Sequence, residues 1–351
     1  MMRLVQEKAE GNLTTMKAMR IRHPASLETI ELDPQAQAAV PGPGEIRVRI
    51  RAASLNFRDG LVANGYFPAK DGLIPLSDGA GEVIALGEGV TEFAIGDRVV
   101  STFHPKWLDG FMDKAAMDNS PGGAADGFAC EEATRPTSHF TRMPANLSFT
   151  EAATLTCAGV TAWRAVVTDG RTRPGEHVLI LGTGGVSLFA LQFAKAAGAT
   201  VIATTSNAEK AARLAELGAD HVIDYIANPN WGEQVLELTG GLGVEHIVEV
   251  GGPNTLRQSF LAARTGAHIA IIGAVGGFEV DQMPFVTVQA KRLCLQAVTV
   301  GTRRDQIEMV RAIEVHGIRP VIARTFPLEE LGDAIWHLQT GGHIGKICIE
   351  M

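Results

Sequence analysis

From Met16 onward the apolar positions of this chain fall into two textures. Up to about Asn146 they come in short runs broken by Gly, Pro and Asp. Glu45-Ile-Arg-Val-Arg-Ile50 alternates strictly between polar and apolar, the pattern of a strand with one buried face, and Gly81-Glu-Val-Ile-Ala-Leu86 runs into a turn at Gly87-Glu-Gly89. Residues 16–146 therefore read as a mostly β domain, and the polar residues 1–15 as an extension outside it. From about Leu147 the pattern changes to apolar strand, Gly-rich turn and helix in repetition. Strands are predicted at 177–181, 200–203, 221–223, 245–250, 267–272 and 293–300, and helices at 185–197, 208–217, 231–239, 255–263 and 305–316. Strands without polar alternation need cover on both faces, which implies a parallel sheet between helix layers. The tail reads as a helix near 327–336 and a strand at 345–349. A lone final strand must pair with some sheet, and the N-terminal region offers one. The fold class is therefore α/β, with a β-rich domain at 16–146, a doubly wound nucleotide-binding domain at 147–315 and a return at 316–351.

Length and composition narrow the function. A chain of 351 residues exceeds the usual single-domain size, and 46% hydrophobic against 20% charged residues is ordinary globular material. The net charge of −8, without any long basic run, argues against a nucleic-acid binder or an anionic-membrane binder. Cys130, Cys157, Cys294 and Cys348 are scattered with no CxxC pair, which suits a reducing compartment. No apolar stretch reaches the roughly 20 residues of a membrane helix, and no secretory leader pattern opens the chain. The expectation is a cytoplasmic protein that acts on small molecules.

The most informative segment is Gly182-Thr183-Gly184-Gly185-Val186-Ser187, which follows the strand ending at Leu181 and opens a helix. Gly182 permits a tight turn, and Gly184 lets the backbone approach a pyrophosphate held at the helix N-terminus. Ser187 stands where the usual fingerprint has its third glycine. A plain structural βα turn is the competing reading, and the strand-turn-helix context argues against it. Folds of this kind that bind NAD place Asp or Glu at the end of the second strand to hold the ribose hydroxyls. Here that point reads Ala203-Thr204-Thr205-Ser206-Asn207, with no acid. The hydroxyls of Thr205 and Ser206 and the amine of Lys210 suit a 2′-phosphate, so NADP(H) is the expected cofactor. On its own Lys210 reads as a solvated helix face.

The order of parts resembles the medium-chain dehydrogenase/reductase superfamily over about residues 16–351. Ser54-Leu-Asn-Phe-Arg-Asp59, Pro75-Leu-Ser-Asp-Gly-Ala-Gly-Glu-Val83, Cys157-Ala-Gly-Val-Thr-Ala-Trp163 and Asn207-Ala-Glu-Lys210, with the glycine turn, resemble its zinc-independent quinone oxidoreductase branch and bacterial alcohol-dehydrogenase-like relatives. The resemblance implies a GroES-like catalytic domain and a Rossmann domain with the active site in the cleft between them. It implies that Thr161 lies near the nicotinamide and that Thr205, Ser206, Lys210 and Tyr225 surround the adenosine phosphate, though Tyr225 reads equally well as packing. Val275, Val300 and Gly301, near the ends of the fifth and sixth strands, would flank the nicotinamide. A homodimer is also implied, with the strand at 293–300 as its edge.

Zinc-dependent members of the superfamily hold catalytic zinc through positions that correspond to Asn56, Ser77 and Cys157, so one good ligand remains of the three that zinc needs. The cysteine quartet of the structural zinc lobe is absent, and the segment 109–135, rich in Gly and Asp, reads as a loop. His104 reads as a loop residue, Cys157 as a small buried hydrophobe, and Arg58 with Asp59 as a structural ion pair. Without a Lewis acid, oxidation of a primary alcohol is difficult. Quinones and α,β-unsaturated carbonyls accept hydride more readily, because charge develops on a conjugated oxygen that needs only hydrogen-bond donors and a proton. Asn56 is the first candidate donor, against a plain turn role, and Tyr66 the second. Tyr66 and Lys70 imitate a Tyr-x-x-x-Lys pair, but Pro68 between them rules out the shared helical face such a pair requires. The expected activity is zinc-independent, NADPH-dependent reduction of a quinone or enone. Reduction of enoyl thioesters or aldehydes on the same scaffold, a non-catalytic NADPH-binding redox sensor, and a zinc alcohol dehydrogenase with unconventional ligands stand as alternatives.

Overall fold

The structure, a computed structural model, describes residues 14–117, 119–273, 275–277 and 283–351. The expected extension at 1–15 lies almost wholly outside these residues; Thr14 and Thr15 already belong to a strand. Residues divide into two compact units: one takes the chain up to Cys157 with Thr302–Gly342 and Lys346–Met351, the other Ala158–Gly301 with His343–Gly345.

The first unit is β-rich. Strands β1 (Thr14–Ile21) and β2 (Ile30–Ala38) form an antiparallel ribbon. The main sheet is built from β3 (Glu45–Ser54), β4 (Asp78–Leu86), β5 (Arg98–Ser101), β6 (Glu132–Pro136) and β7 (Phe140–Arg142), joined by two strands from the end of the chain. The alternation in β3 buries Ile46, Val48 and Ile50 and exposes Arg49 and Arg51. Arg47 breaks that rule. It is buried where β6 pairs antiparallel beside this stretch of β3, and Glu132 accepts from the Arg47 Nε at 2.6 Å. Phe128 and Phe140 meet edge to face in the core, with centroids 5.9 Å apart.

The segment 109–135 is more ordered than its composition suggests. It ends in β6, and the backbone N–H groups of Gly127 and Phe128 donate to Ile74 and to Pro75 and Leu76. A side chain at Gly122 or Gly127 would collide with the Leu76 backbone, so the glycines here serve close packing rather than freedom.

The second unit contains β8 (His177–Leu181), β9 (Thr200–Thr205), β10 (His221–Asp224), β11 (Val244–Glu249), β12 (Ala263–Ile271) and β13 (Cys294–Ala297) in the spatial order β10-β9-β8-β11-β12-β13. Every pairing is parallel. Numbered within the unit, the order is 3-2-1-4-5-6, the doubly wound arrangement expected. Its helices start where local chemistry allows. Asn207 Oδ1 accepts from Lys210 N at 2.9 Å to cap Ala208–Glu216, and Pro253 opens Pro253–Ala262. The sixth strand stops at Ala297, short of the expected 300, because Val300 has a left-handed backbone at φ 62° that no strand accommodates.

In the tail, β14 (Ile322–Pro327), which the pattern did not announce, pairs in parallel with β15 (Lys346–Glu350). β15 in turn pairs antiparallel with β3, Cys348 opposite Ser54. The helix Arg303–His316 belongs to the β-rich unit rather than to the nucleotide domain as expected. Its Gln306 Nε2 donates to Ser101 O and to Thr141 Oγ1. Residues 147–157 likewise stay with the β-rich unit, where Thr156 Oγ1 donates to Ser101 O at 2.8 Å. An amphipathic period shows that a helix has an apolar face but not which of two cores the face meets. Among the described residues no helix is long and apolar enough to cross a membrane.

Candidate active site

Two clusters hold the chemistry, one in each unit. In the β-rich unit Asn56 ends the turn after β3 and stands at the N-terminus of the helix Phe57–Ala63. Asp59, one turn on, accepts from the Asn56 N–H at 2.7 Å and lies fully buried. Asp78 opens β4 beside it, and Ser77 Oγ donates to Asp78 Oδ1 at 2.7 Å. Lys346, the first residue of β15, is only 4% exposed. Its Nζ donates to the Leu55 carbonyl and, at 2.5 Å, to Asn56 Oδ1.

Charge is the organising problem here. Burial pushes the Asp59 carboxyl up to about 6, with Arg58 opposing. Burial likewise raises Asp78, against the pull of Lys346, Asn56 and Ser77. The Cys157 thiol is raised first by burial and then by Asp78. Three polar atoms face this cluster without a hydrogen bond: Asn56 Nδ2, Asp59 Oδ1 and Asp78 Oδ2. The amide lies near enough to Asp78 to favour its ionised form, but no hydrogen bond of good geometry joins them. Arg58 holds the rim: it sits 3.8 Å from Asp59, donates to Pro121 O and lies 5.0 Å over the Phe103 ring.

Tyr66 does not join this cluster. It lies beyond the other end of the same helix, roughly 10 Å of helix away from Asn56, and is 75% exposed. His104 lies in the loop after β5, as expected, and is buried there, edge-on to Phe103 and Trp107. Sequence reading missed Lys346. Its one signal was position, as a charged residue opening an otherwise apolar terminal strand.

In the second unit the expected cofactor residues lie along one edge of the sheet, at the carboxyl ends of its strands. Tyr225 follows β10, and its N–H donates to Thr205 O. Thr205 and Ser206 end β9, Gly182 and Gly184 follow β8, and Val275 and Val300 lie beyond β12 and β13. Six strands at about 4.8 Å spacing make this edge roughly 24 Å long.

The turn after β8 is open. Gly182 has φ 74° and its N–H donates to Thr204 O, while a Cβ at Gly182 or Gly184 would meet nothing within 4 Å. Gly184 precedes the helix Gly185–Ala196, whose first backbone N–H groups have no partner within the helix. Ser187, in the third-glycine position, is buried and donates to Leu181 O at 2.6 Å, tying the helix to the strand. Thr161 is buried in the helix Val160–Trp163, flanked by π-helical turns at Leu155–Gly159 and Arg164–Thr168. Such turns recur at functional sites. Trp163 packs edge-on to Phe193 of the glycine-turn helix, 5.4 Å between centroids.

Comparison with known proteins decides the family. Residues 42–145 match the alcohol dehydrogenase GroES-like domain and residues 185–314 the zinc-binding dehydrogenase domain. A zinc-type alcohol dehydrogenase-like protein of Schizosaccharomyces pombe is 39% identical over 88% of this chain and 91% of its own length. The crystal structure of a putative alcohol dehydrogenase from Sinorhizobium meliloti 1021 superposes with a TM-score of 0.91 at 38% identity, covering 97% of this chain and 100% of the other. An NAD-dependent alcohol dehydrogenase structure gives 0.88 at 31% identity, covering 96% and 100%.

The chain belongs to the medium-chain dehydrogenase/reductase superfamily. It is an alcohol-dehydrogenase-like oxidoreductase, with a GroES-like domain and a Rossmann domain. Members of the superfamily use NAD(P), and the sheet edge fits such a dinucleotide. The space over Gly182 and Gly184 is one that a Cβ would fill, and the buried Thr205 hydroxyl at the end of β9 has no partner.

Zinc, which the family's names invoke, fits the other cluster poorly. Asn56 Oδ1 is engaged by an ammonium, which would also repel a cation. Ser77 Oγ is committed to Asp78, and the Cys157 thiol resists the ionisation that zinc ligation needs. Among the described residues no three His, Cys, Asp or Glu side chains converge as a metal site.

Proposed function

We propose that this oxidoreductase is a zinc-independent, NADPH-preferring reductase whose acceptor is a quinone or an α,β-unsaturated carbonyl. The observation that carries the reading is the Lys346–Asn56–Asp78 cluster, in which the amide at one of the positions zinc relatives use for a metal ligand is engaged instead by an ammonium. A bound reduced nicotinamide supplies hydride. The chain's own task is then to hold the acceptor and stabilise the charge that develops on its oxygen. Asn56 Nδ2, buried and without a partner, is a donor suited to that oxygen. A proton from water or a neighbouring group completes the reduction.

Preference for NADPH is supported by the end of β9. Thr205 Oγ1 is buried and unpaired, Ser206 and Asn207 follow, and Lys210 Nζ makes no ion pair among the described residues. A 2′-phosphate would find two hydroxyls and an ammonium there, and no carboxylate to repel it. Gly182, Gly184, Gly185 and Val186 would take the pyrophosphate, Thr161, Val275, Val300 and Gly301 the nicotinamide end, and Tyr225 the adenosine side.

A second reading, aldehyde reduction and its reverse, is favoured by the similarity to proteins described as alcohol dehydrogenases. Metal content together with NADPH and NADH titrations separates the two. The proposed reductase binds NADPH at least 10-fold more tightly than NADH and contains no stoichiometric zinc. Tight NADH binding with one zinc per chain would replace it with the alcohol dehydrogenase reading.

The proposal includes a cytoplasmic homodimer. Among the described residues β13 is the last strand of its sheet, and Phe285 and Val286, in the helix that precedes it, are 68% and 76% exposed. An edge of that kind is a natural pairing surface for a second copy.

A further inference from the structure

The hydrogen bonds of Lys346 fix which way the Asn56 amide faces. Oxygen and nitrogen of a side-chain amide are ordinarily assigned from their partners. An ammonium has three donors and no acceptor, so the amide atom 2.5 Å from Lys346 Nζ must be the oxygen. Nδ2 therefore faces away from the ammonium. There it is buried, in a side chain 8% exposed, beside the Asp78 carboxylate but with no hydrogen bond of good geometry. A buried donor held without a partner calls for a reason. Without the ammonium the amide could turn over, and the freed Leu55 carbonyl would accept from Nδ2.

We propose that Lys346 is a positioning residue for the reduction: its ammonium locks the Asn56 amide in the orientation that presents Nδ2 to the oxygen of the acceptor. This rests on the reading of Asn56 as the oxygen-stabilising donor. The competing role is structural, in which Lys346 only neutralises Asp59 and Asp78 and ties the start of β15 to Leu55. The two roles differ in what they move. A structural lysine affects melting and cofactor binding. A positioning lysine affects kcat through Asn56 and through nothing else.

The test is a mutant cycle on the full-length protein with NADPH and a simple quinone, with melting temperature and NADPH affinity measured alongside. Asn56→Ala and Lys346→Met should each lower kcat about 10- to 100-fold, with KM and the NADPH Kd changed less than about 3-fold. The double variant should be no slower than Asn56→Ala, because the lysine acts only through the amide. Lys346→Arg, which also offers only donors, should recover most of the activity. Lys346→Leu serves if Lys346→Met does not fold: it too has no donor for Oδ1, so the amide can turn and kcat should fall. Full activity in Asn56→Ala would overturn the reading of Asn56 and this inference with it. A slow Asn56→Ala beside a fully active Lys346→Met or Lys346→Leu, or losses that multiply in the double variant, would overturn the role of Lys346 and leave Asn56 standing.

Discussion

Replacing Asp59 by Asn should stabilise the β-rich unit, and do so only above mildly acidic pH. Asp59 is fully buried, accepts one backbone N–H through Oδ2, and leaves Oδ1 without a hydrogen bond. Burial raises its carboxyl from 3.8 to about 6. The folded protein thus holds this proton more tightly than the unfolded chain. Stability from the group is complete below pH 3.8 and is lost as pH rises through 6. A separation of about two pH units at about 1.4 kcal/mol each makes the loss about 3 kcal/mol by pH 8. The neighbouring Asp78 shares the same desolvation, so this is an upper figure. An asparagine keeps an acceptor for the Asn56 N–H and carries no charge to bury. The melting temperature of Asp59→Asn relative to the parent should therefore rise between about pH 3.5 and about pH 8 by roughly 5–10 °C, most of the rise falling between 3.8 and about 6. A difference that is flat with pH, or that shrinks as pH rises, would refute the reasoning.

Three further outcomes are expected. Gly184→Val places its side chain in open space at φ −74°, so melting should be unchanged while NADPH affinity, read by fluorescence, falls more than about 100-fold. Ser206→Asp puts a carboxylate at the end of β9, where it repels a 2′-phosphate and can bind ribose hydroxyls; the NADPH-to-NADH ratio of kcat/KM should drop at least about 10-fold. Lys291 Nζ donates to the carbonyls of Phe260, Leu261 and Ala263 at the end of the helix Pro253–Ala262, so Lys291→Met should destabilise that helix by about 1–3 kcal/mol, seen as faster amide exchange across it.

The dinucleotide unit was nearly all legible in the sequence, because an apolar strand followed by Gly and an amphipathic helix has one structural solution. The helices at Gly185–Ala196, Ala208–Glu216 and Trp231–Leu238 each lie within a residue of their expected ends. Information ran out where partners are remote in sequence. Arg47 is buried only because Glu132 arrives 85 residues later, and β14 shows itself only through β15. The segment 109–135 reads as a loop by composition, yet Gly122 and Gly127 pack against the Leu76 backbone. In the candidate site, Asn56 could be found from its place after β3, and the absent acid after β9 from spacing alone. The third member, Lys346, lies 290 residues from the amide it holds, and nothing local marks it as buried. Tyr66 had the right chemistry, and only the helix between it and Asn56 shows that the two lie apart.

Metal-free hydride delivery from NADPH to a conjugated acceptor is best tested by the rate of NADPH oxidation by chelator-treated protein offered a simple quinone and a simple enone. Turnover with at least one of them, undiminished by the chelator and faster with NADPH than with NADH, is the expected result. NADPH that binds without turnover on either acceptor, or activity that returns only when zinc is restored, would contradict it.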